Sequence, residues 1–202
     1  MKKIIFILFF LSLTQAPAVY AEPKKLVVLG DSITEGLGVA KSAAFPSLLE
    51  AKLNQKKTMW TVINSGVSGS TTASAPGRIK WMLKNKPDVV LIVLGANDGL
   101  RGLKIEQSEK NLSEAIQMAQ EVHIKVILGG LYMPPNYGKD YTEKFKNMYL
   151  HLAKKYKLFL VPFILDKVAG NPKYTQPDGL HPNEEGHKVV AETIYQAIKD
   201  QL

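Results

Sequence analysis

The chain has 202 residues, 46% of them hydrophobic, and a formal charge of +8, which is enough for one well-packed domain and short for two. It contains no cysteine, which excludes a disulfide framework and a lipid-attached cysteine and leaves the fold to stand on its core. The lysines are spread over several predicted helices and loops, without the one-faced clustering or exposed aromatics of a nucleic-acid binder, so the charge reads as a solvated surface with some attraction for anionic headgroups or substrates.

Lys2 and Lys3 precede an apolar run over residues 4–13 and a small-residue stretch ending Val19-Tyr20-Ala21. That order predicts a secretory signal peptide over residues 1–21, cleaved after Ala21, and a single exported domain over residues 22–202, periplasmic or extracellular. The apolar run is too short to span a bilayer, and no stable membrane insertion is expected.

Val27, Val28 and Leu29 predict a short strand with no polar face, as in a central parallel strand. Gly30 and Asp31 then turn the chain and deliver Ser32. Phe45, Leu48, Leu49 and Leu53 recur at helical spacing over residues 43–53, with Pro46 tolerated near the start. Residues 58–63 read as a second strand running into the glycine-containing loop Asn64-Ser65-Gly66-Val67-Ser68-Gly69, and residues 78–84 as a helix. The most hydrophobic strand, residues 88–94, ends at Gly95-Ala96-Asn97-Asp98-Gly99. A helix over 105–122, a strand over 125–128, a helix over 141–156 and a strand over 158–163 follow, and Pro162 places that last strand at an edge or its end there. A polar loop containing Asp178-Gly179-Leu180-His181 leads into a closing helix over 184–202.

Strands alternating with helices predict an α/β fold, a three-layer α/β/α sandwich of flavodoxin-like type with a parallel sheet of about five strands. A serine on a turn at the carboxyl end of such a strand stands at the crevice where open α/β sheets bind ligands. Asp31 and Ser32 read equally well as a helix cap.

A serine hydroxyl needs a base, and the base needs a third group to orient it. Of the four histidines, His123, His151 and His187 sit on or beside predicted helices and read as surface or packing residues. His181 lies in a loop three residues after Asp178, with Gly179 between them, a spacing that lets a carboxylate reach Nδ1 while Nε2 faces outward. Asp178-Gly179 is also a common turn pair. An acyl oxyanion needs preorganised donors. Gly69 and Asn97 stand at strand ends on the same sheet edge as Ser32, although each also fits an ordinary turn.

Gly30-Asp31-Ser32-Ile33, Ser68-Gly69, Gly95-Ala96-Asn97-Asp98 and Asp178-Gly179-Leu180-His181, in that order, resemble the four sequence blocks of the SGNH hydrolases, also called GDSL lipases and esterases. Asn97-Asp98-Gly99-Leu100-Arg101-Gly102 and Pro135-Asn136-Tyr137-Gly138 resemble the secreted bacterial arylesterase and acyl-CoA thioesterase I/lysophospholipase L1 branch. The similarity covers nearly the whole chain after the leader. It implies a serine hydrolase with Ser32 as nucleophile, His181 as general base and Asp178 as its orienting acid. The oxyanion would be held by the Ser32 and Gly69 N–H groups and the Asn97 side chain, and no cofactor or metal would be needed. Ile33 replaces the usual leucine, and Gly66 competes with Gly69, which is preferred because Ser68-Gly69-Ser70-Thr71 fits the branch better. With that role given to Asp178, Asp31 is expected to brace the turn through backbone hydrogen bonds.

No G-x-S-x-G elbow surrounds any serine. A metal-dependent hydrolase would want an H-E-x-x-H or a close histidine pair, and the chain has neither. A non-catalytic binding module would be expected to lack one of the four parts, and a carbohydrate acetylesterase on the same fold is the main alternative. Leu100, Leu103, Ile105, Tyr132, Met133, Pro134 and Tyr137 are expected to form an apolar wall. That favours small-molecule fatty-acyl or aryl esters over sugars, and the resemblance to the thioesterase/lysophospholipase branch adds acyl thioesters and lysophospholipids as possible substrates. The segment 99–104, with two glycines, could move over the acyl group as a lid, which the sequence alone does not decide.

Overall fold

Leu26, Val27, Val28 and Leu29 are fully buried in β1 (Lys24–Gly30), because strands on both sides and helices on both faces leave them no route to water. The computed structural model describes residues 22–55 and 58–202; the expected signal peptide lies outside them. After β1 come a single turn of helix, α1 (Ser32–Glu35), and α2 (Phe45–Leu53), with Pro46 in its first turn where a missing N–H costs nothing. The chain continues through β2 (Trp60–Gly66), α3 (Ala75–Met82), β3 (Val89–Val93), α4 (Ala96–Leu100), α5 (Ile105–Glu121) and β4 (Lys125–Gly129). It finishes with α6 (Lys139–Tyr156), β5 (Phe159–Val161) and α7 (Glu184–Ile198).

The five strands are all parallel and lie in the order β2-β1-β3-β4-β5. β2 lies on one side of β1 and the later strands on the other, so right-handed crossovers put the connecting helices on opposite faces of the sheet. α2 packs on α7, while α3 packs on α5 and α5 on α6. This is the expected three-layer α/β/α sandwich.

Several boundaries differ from the sequence reading by a few residues, and three differences lie beside the site. β2 continues through Asn64 and Ser65 to Gly66, because it stays in register with β1 as far as Gly30 opposite Gly66. α3 begins at Ala75 rather than Arg78, since Pro76 suits a first helical turn. Residues 96–100, expected as loop, form α4. Pro162 follows directly on β5, which is an edge strand. The strand order reverses between β1 and β3, and the crevice of such a sheet opens outside the carboxyl ends at that reversal. Ser32 follows β1 and Asn97 follows β3.

Candidate active site

Asp31 is the N-cap of α1: its Oδ1 accepts from Ile33 N at 3.0 Å. Capping and a free serine are therefore compatible, because Asp31 does the capping and leaves the Ser32 hydroxyl to other work. The brace amounts to that one backbone bond, and Oδ2, buried, has no partner among the described residues. Burial pushes the Asp31 carboxyl up to about 6, against the opposing pull of the Ile33 N–H and of the His181 and Arg78 charges. Arg78 clamps the strand ends from α3, donating to Gly30 O at 2.9 Å and to Ser65 O.

Ser32 is 8% exposed. Its Oγ lies 2.9 Å from His181 Nε2, and His181 Nδ1 lies 2.6 Å from Asp178 Oδ2. Asp178 Oδ1 accepts from Leu180 N at 2.9 Å and His181 N at 3.0 Å, so the carboxylate organises the loop that carries the imidazole. Slight burial opposes ionisation of Asp178, but the bonds from the His181 ring and the two backbone N–H groups outweigh it and hold the carboxyl at about 2. An ionised Asp178 accepts only, which assigns the proton to Nδ1 and leaves Nε2 free to accept from Ser32.

Asn97 stands in the first turn of α4, and its Nδ2 donates to Ser70 O at 3.0 Å. One amide hydrogen is thus engaged, and the other has no partner among the described residues. The bond also ties α4 to the loop after β2, whose Gly69 O accepts from Arg101 Nη2 at 3.2 Å. The two competing glycines separate on contact. A Cβ on Gly66 would meet Glu35 N at 2.0 Å, whereas Gly69, at a left-handed φ of 75°, has only Arg101 Nη2 near, at 3.8 Å. Gly66 is a packing requirement; Gly69 is a turn facing open space. Behind both, buried Asp98 accepts from Thr72 N at 2.9 Å, Thr72 Oγ1 at 2.6 Å and Ser108 Oγ at 3.0 Å.

A cavity of about 590 Å³, within the ordinary range for small-molecule sites, brings Ser32, Asn97 and His181 together with Leu100, Tyr132, Met133 and Pro134. Gly69, Leu103, Ile105 and Tyr137 are not part of its lining. Leu103 is 42% exposed, because the turn after α4 aims it at solvent. Tyr137 donates to Leu100 O at 3.0 Å and stacks on Tyr141, so it packs behind the wall. A further part of the lining, from Phe163, Leu165, Ala169 and Gly170, was not anticipated from the sequence, and neither were Leu131 and Leu180. Phe163 stacks on Tyr132 with centroids 4.3 Å apart. The sequence signal for that part of the lining is weak: an apolar run, Phe163-Ile164-Leu165, broken by Asp166 and Lys167 before Val168 and Ala169.

The segment 99–104 is fastened: Leu103 N donates to Asp98 O, Tyr141 Oη to Leu103 O, and Arg101 to the Gly69 loop. Of the other histidines, His151 pairs with Glu109 at 2.8 Å and His187 is buried against Phe45. Among the described residues no three His, Cys, Asp or Glu side chains gather into a metal-holding group, and none of the helices is long and apolar enough to cross a membrane.

A model of the GDSL-like lipase/acylhydrolase family matches residues 28–189. The chain belongs to this family. It is 38% identical over 180 residues to the arylesterase of Vibrio mimicus, covering 89% of this chain and 90% of that one. It is 35% identical over 175 residues to thioesterase 1/protease 1/lysophospholipase L1 of Escherichia coli K12, covering 86% and 83%. The crystal structure of TesA matches with a TM-score of 0.86 at 37% identity, covering 89% of this acylhydrolase-family chain and all of that one.

Proposed function

We propose that this GDSL-family chain is an exported serine esterase that hydrolyses carboxylic esters with an aryl or fatty-acyl part, and acyl thioesters and lysophospholipids by the same route. The observation that carries the reading is the Ser32–His181–Asp178 relay, with spacings of 2.9 and 2.6 Å, opening into a mainly apolar cavity beside Asn97. In the first half-reaction Ser32 Oγ attacks the acyl carbon and its proton passes to His181 Nε2, while Asp178 stabilises the imidazolium. The oxyanion takes the free Asn97 amide hydrogen and the Ser32 and Gly69 N–H groups. Collapse expels the alcohol or thiol, which leaves with the proton from His181. Water then repeats the sequence on the acyl-enzyme, releasing the acid and restoring Ser32.

The names of these two relatives, arylesterase and thioesterase/lysophospholipase, agree with this substrate class, and the apolar lining favours it over acetylated sugars. The export part of the reading rests on the sequence of residues 1–21, which has the order of a secretory signal peptide and supports a periplasmic or extracellular location. A p-nitrophenyl ester series of increasing chain length, run beside acyl-CoA, a lysophospholipid and an acetylated sugar, tests the reading. The parent should turn over the esters, and Ser32→Ala should stay folded and inert. Turnover by Ser32→Ala, or silence of the parent across the panel, would overturn it.

A further inference from the structure

His181 and Asp178 ride on a surface loop, and their mutual bonds say nothing about how that loop is kept in register with Ser32. One side chain spans the gap. Gln176 Nε2 donates to Leu37 O at 2.7 Å and to Pro182 O at 3.0 Å, so both amide hydrogens are engaged, one on each side. Leu37 belongs to the nucleophile segment, for its N–H and that of Gly36 donate to Ser32 O at 3.1 and 3.0 Å. Pro182 is the residue after His181. The Gln176 backbone completes the frame: its N–H donates to His181 O at 2.8 Å, and its carbonyl accepts from Gly179 N at 2.9 Å. Gly38 shows how closely the two segments approach, because a Cβ there would lie 2.3 Å from Gln176 Oε1.

We infer that Gln176 is the positioning residue of the relay, a strut that fixes the distance from Ser32 Oγ to His181 Nε2 while touching neither substrate nor reacting atoms. The inference rests on the serine-esterase reading above. The strut and the His181–Asp178 pair are separable. The pair is closed within its own loop by Asp178 bonds to the ring and to the Leu180 and His181 N–H groups. Loss of the strut should therefore slow proton transfer from Ser32 while leaving the imidazole's own partner in place.

Gln176→Glu keeps the size and removes both donors, setting a carboxylate against two carbonyls; Gln176→Met removes the donors without charge. A displacement of about 1 Å at a relay costs on the order of 100-fold in rate. We expect kcat per titrated site on a p-nitrophenyl ester to fall at least tenfold in both variants, KM to move less than threefold, and the acid limb of the pH profile to stay in place. Labelling of Ser32 by a fluorophosphonate should slow in step with kcat. Gly38→Ala, which presses on the strut from the other side, should reproduce the pattern in part. Parent-like kcat and labelling in both Gln176 variants would overturn the inference, as would a loss that only follows the fraction of titratable sites. A parent whose Ser32 does not label at all would instead sink the esterase reading, so the two failures are distinguishable.

Discussion

Ser32 is both the first residue of α1 and a hydroxyl held for chemistry, and the two demands would conflict if its own side chain had to cap the helix. Asp31 removes the conflict by accepting from Ile33 N. In the proposed mechanism Asn97 meets a similar demand for the oxyanion. A side-chain amide is floppy unless something holds it, and Ser70 O holds one hydrogen at 3.0 Å so that the other is aimed before substrate arrives. Preorganised donors of this kind are worth about 100- to 1,000-fold in kcat. Asn97→Ala should lower kcat on p-nitrophenyl butyrate by about that factor with KM nearly unchanged. A loss confined to KM would show that Asn97 binds the ground state and has no oxyanion role.

The loop after β2 and the helix that presents Asn97 are joined by one buried carboxylate. Asp98 joins the loop after β2, through the Thr72 N–H and hydroxyl, to α4 and, through the Ser108 hydroxyl, to α5. Asp98→Ala strands three buried donors and should cost about 3 kcal/mol or more, since each orphaned group costs roughly 1–3 kcal/mol. Urea unfolding checks it, and a change under 1 kcal/mol would mean that water replaces the carboxylate at little cost. This anchoring also explains what the sequence made legible. Strand interiors such as Val89–Val93 show as unbroken apolar runs because both faces are covered. Ser32, Asn97, Asp178 and His181 each fit a cap or a turn when taken singly, and they stand out because together they supply the parts that one mechanism requires. The part of the lining that follows β5 was not legible. Phe163, Leu165 and Ala169 follow no period, Asp166 and Lys167 interrupt them, and only the tertiary return of the chain after β5 brings them to the cavity, with Phe163 stacked on Tyr132. Leu103 was misplaced for a related reason: composition marks a residue as apolar, while a single turn decides whether it faces the cavity or the solvent.

Across the whole molecule, two buried titratable groups pull stability in opposite directions over the same pH range. The Asp31 carboxyl is raised by burial from an ordinary 3.8 to about 6. Between those values the folded state holds more protons than the unfolded, so stability falls as pH rises through the window. His187 accepts from Phe45 N at 3.2 Å, and burial, with the His181 charge, lowers it from 6.5 to about 4. There the unfolded state holds more protons, and stability rises with pH. At about 1.4 kcal/mol per unit, each group contributes a swing of roughly 3 kcal/mol, and the two nearly cancel. Asp178, held at about 2, adds stability that is complete above pH 3.8 and lost only on further acidification, below this window. The parent should therefore show an almost flat unfolding free energy between about pH 4 and 6. Asp31→Asn keeps an acceptor for the Ile33 N–H but removes the charge, and its stability should climb with pH across that interval. His187→Gln keeps an acceptor for the Phe45 N–H, and its stability should fall. Urea titrations at pH 4, 5 and 6 on the three proteins test the pairing: parallel curves would mean that neither buried group titrates there. Slopes of the same sign in the two variants would mean that the cancellation is not between these two groups.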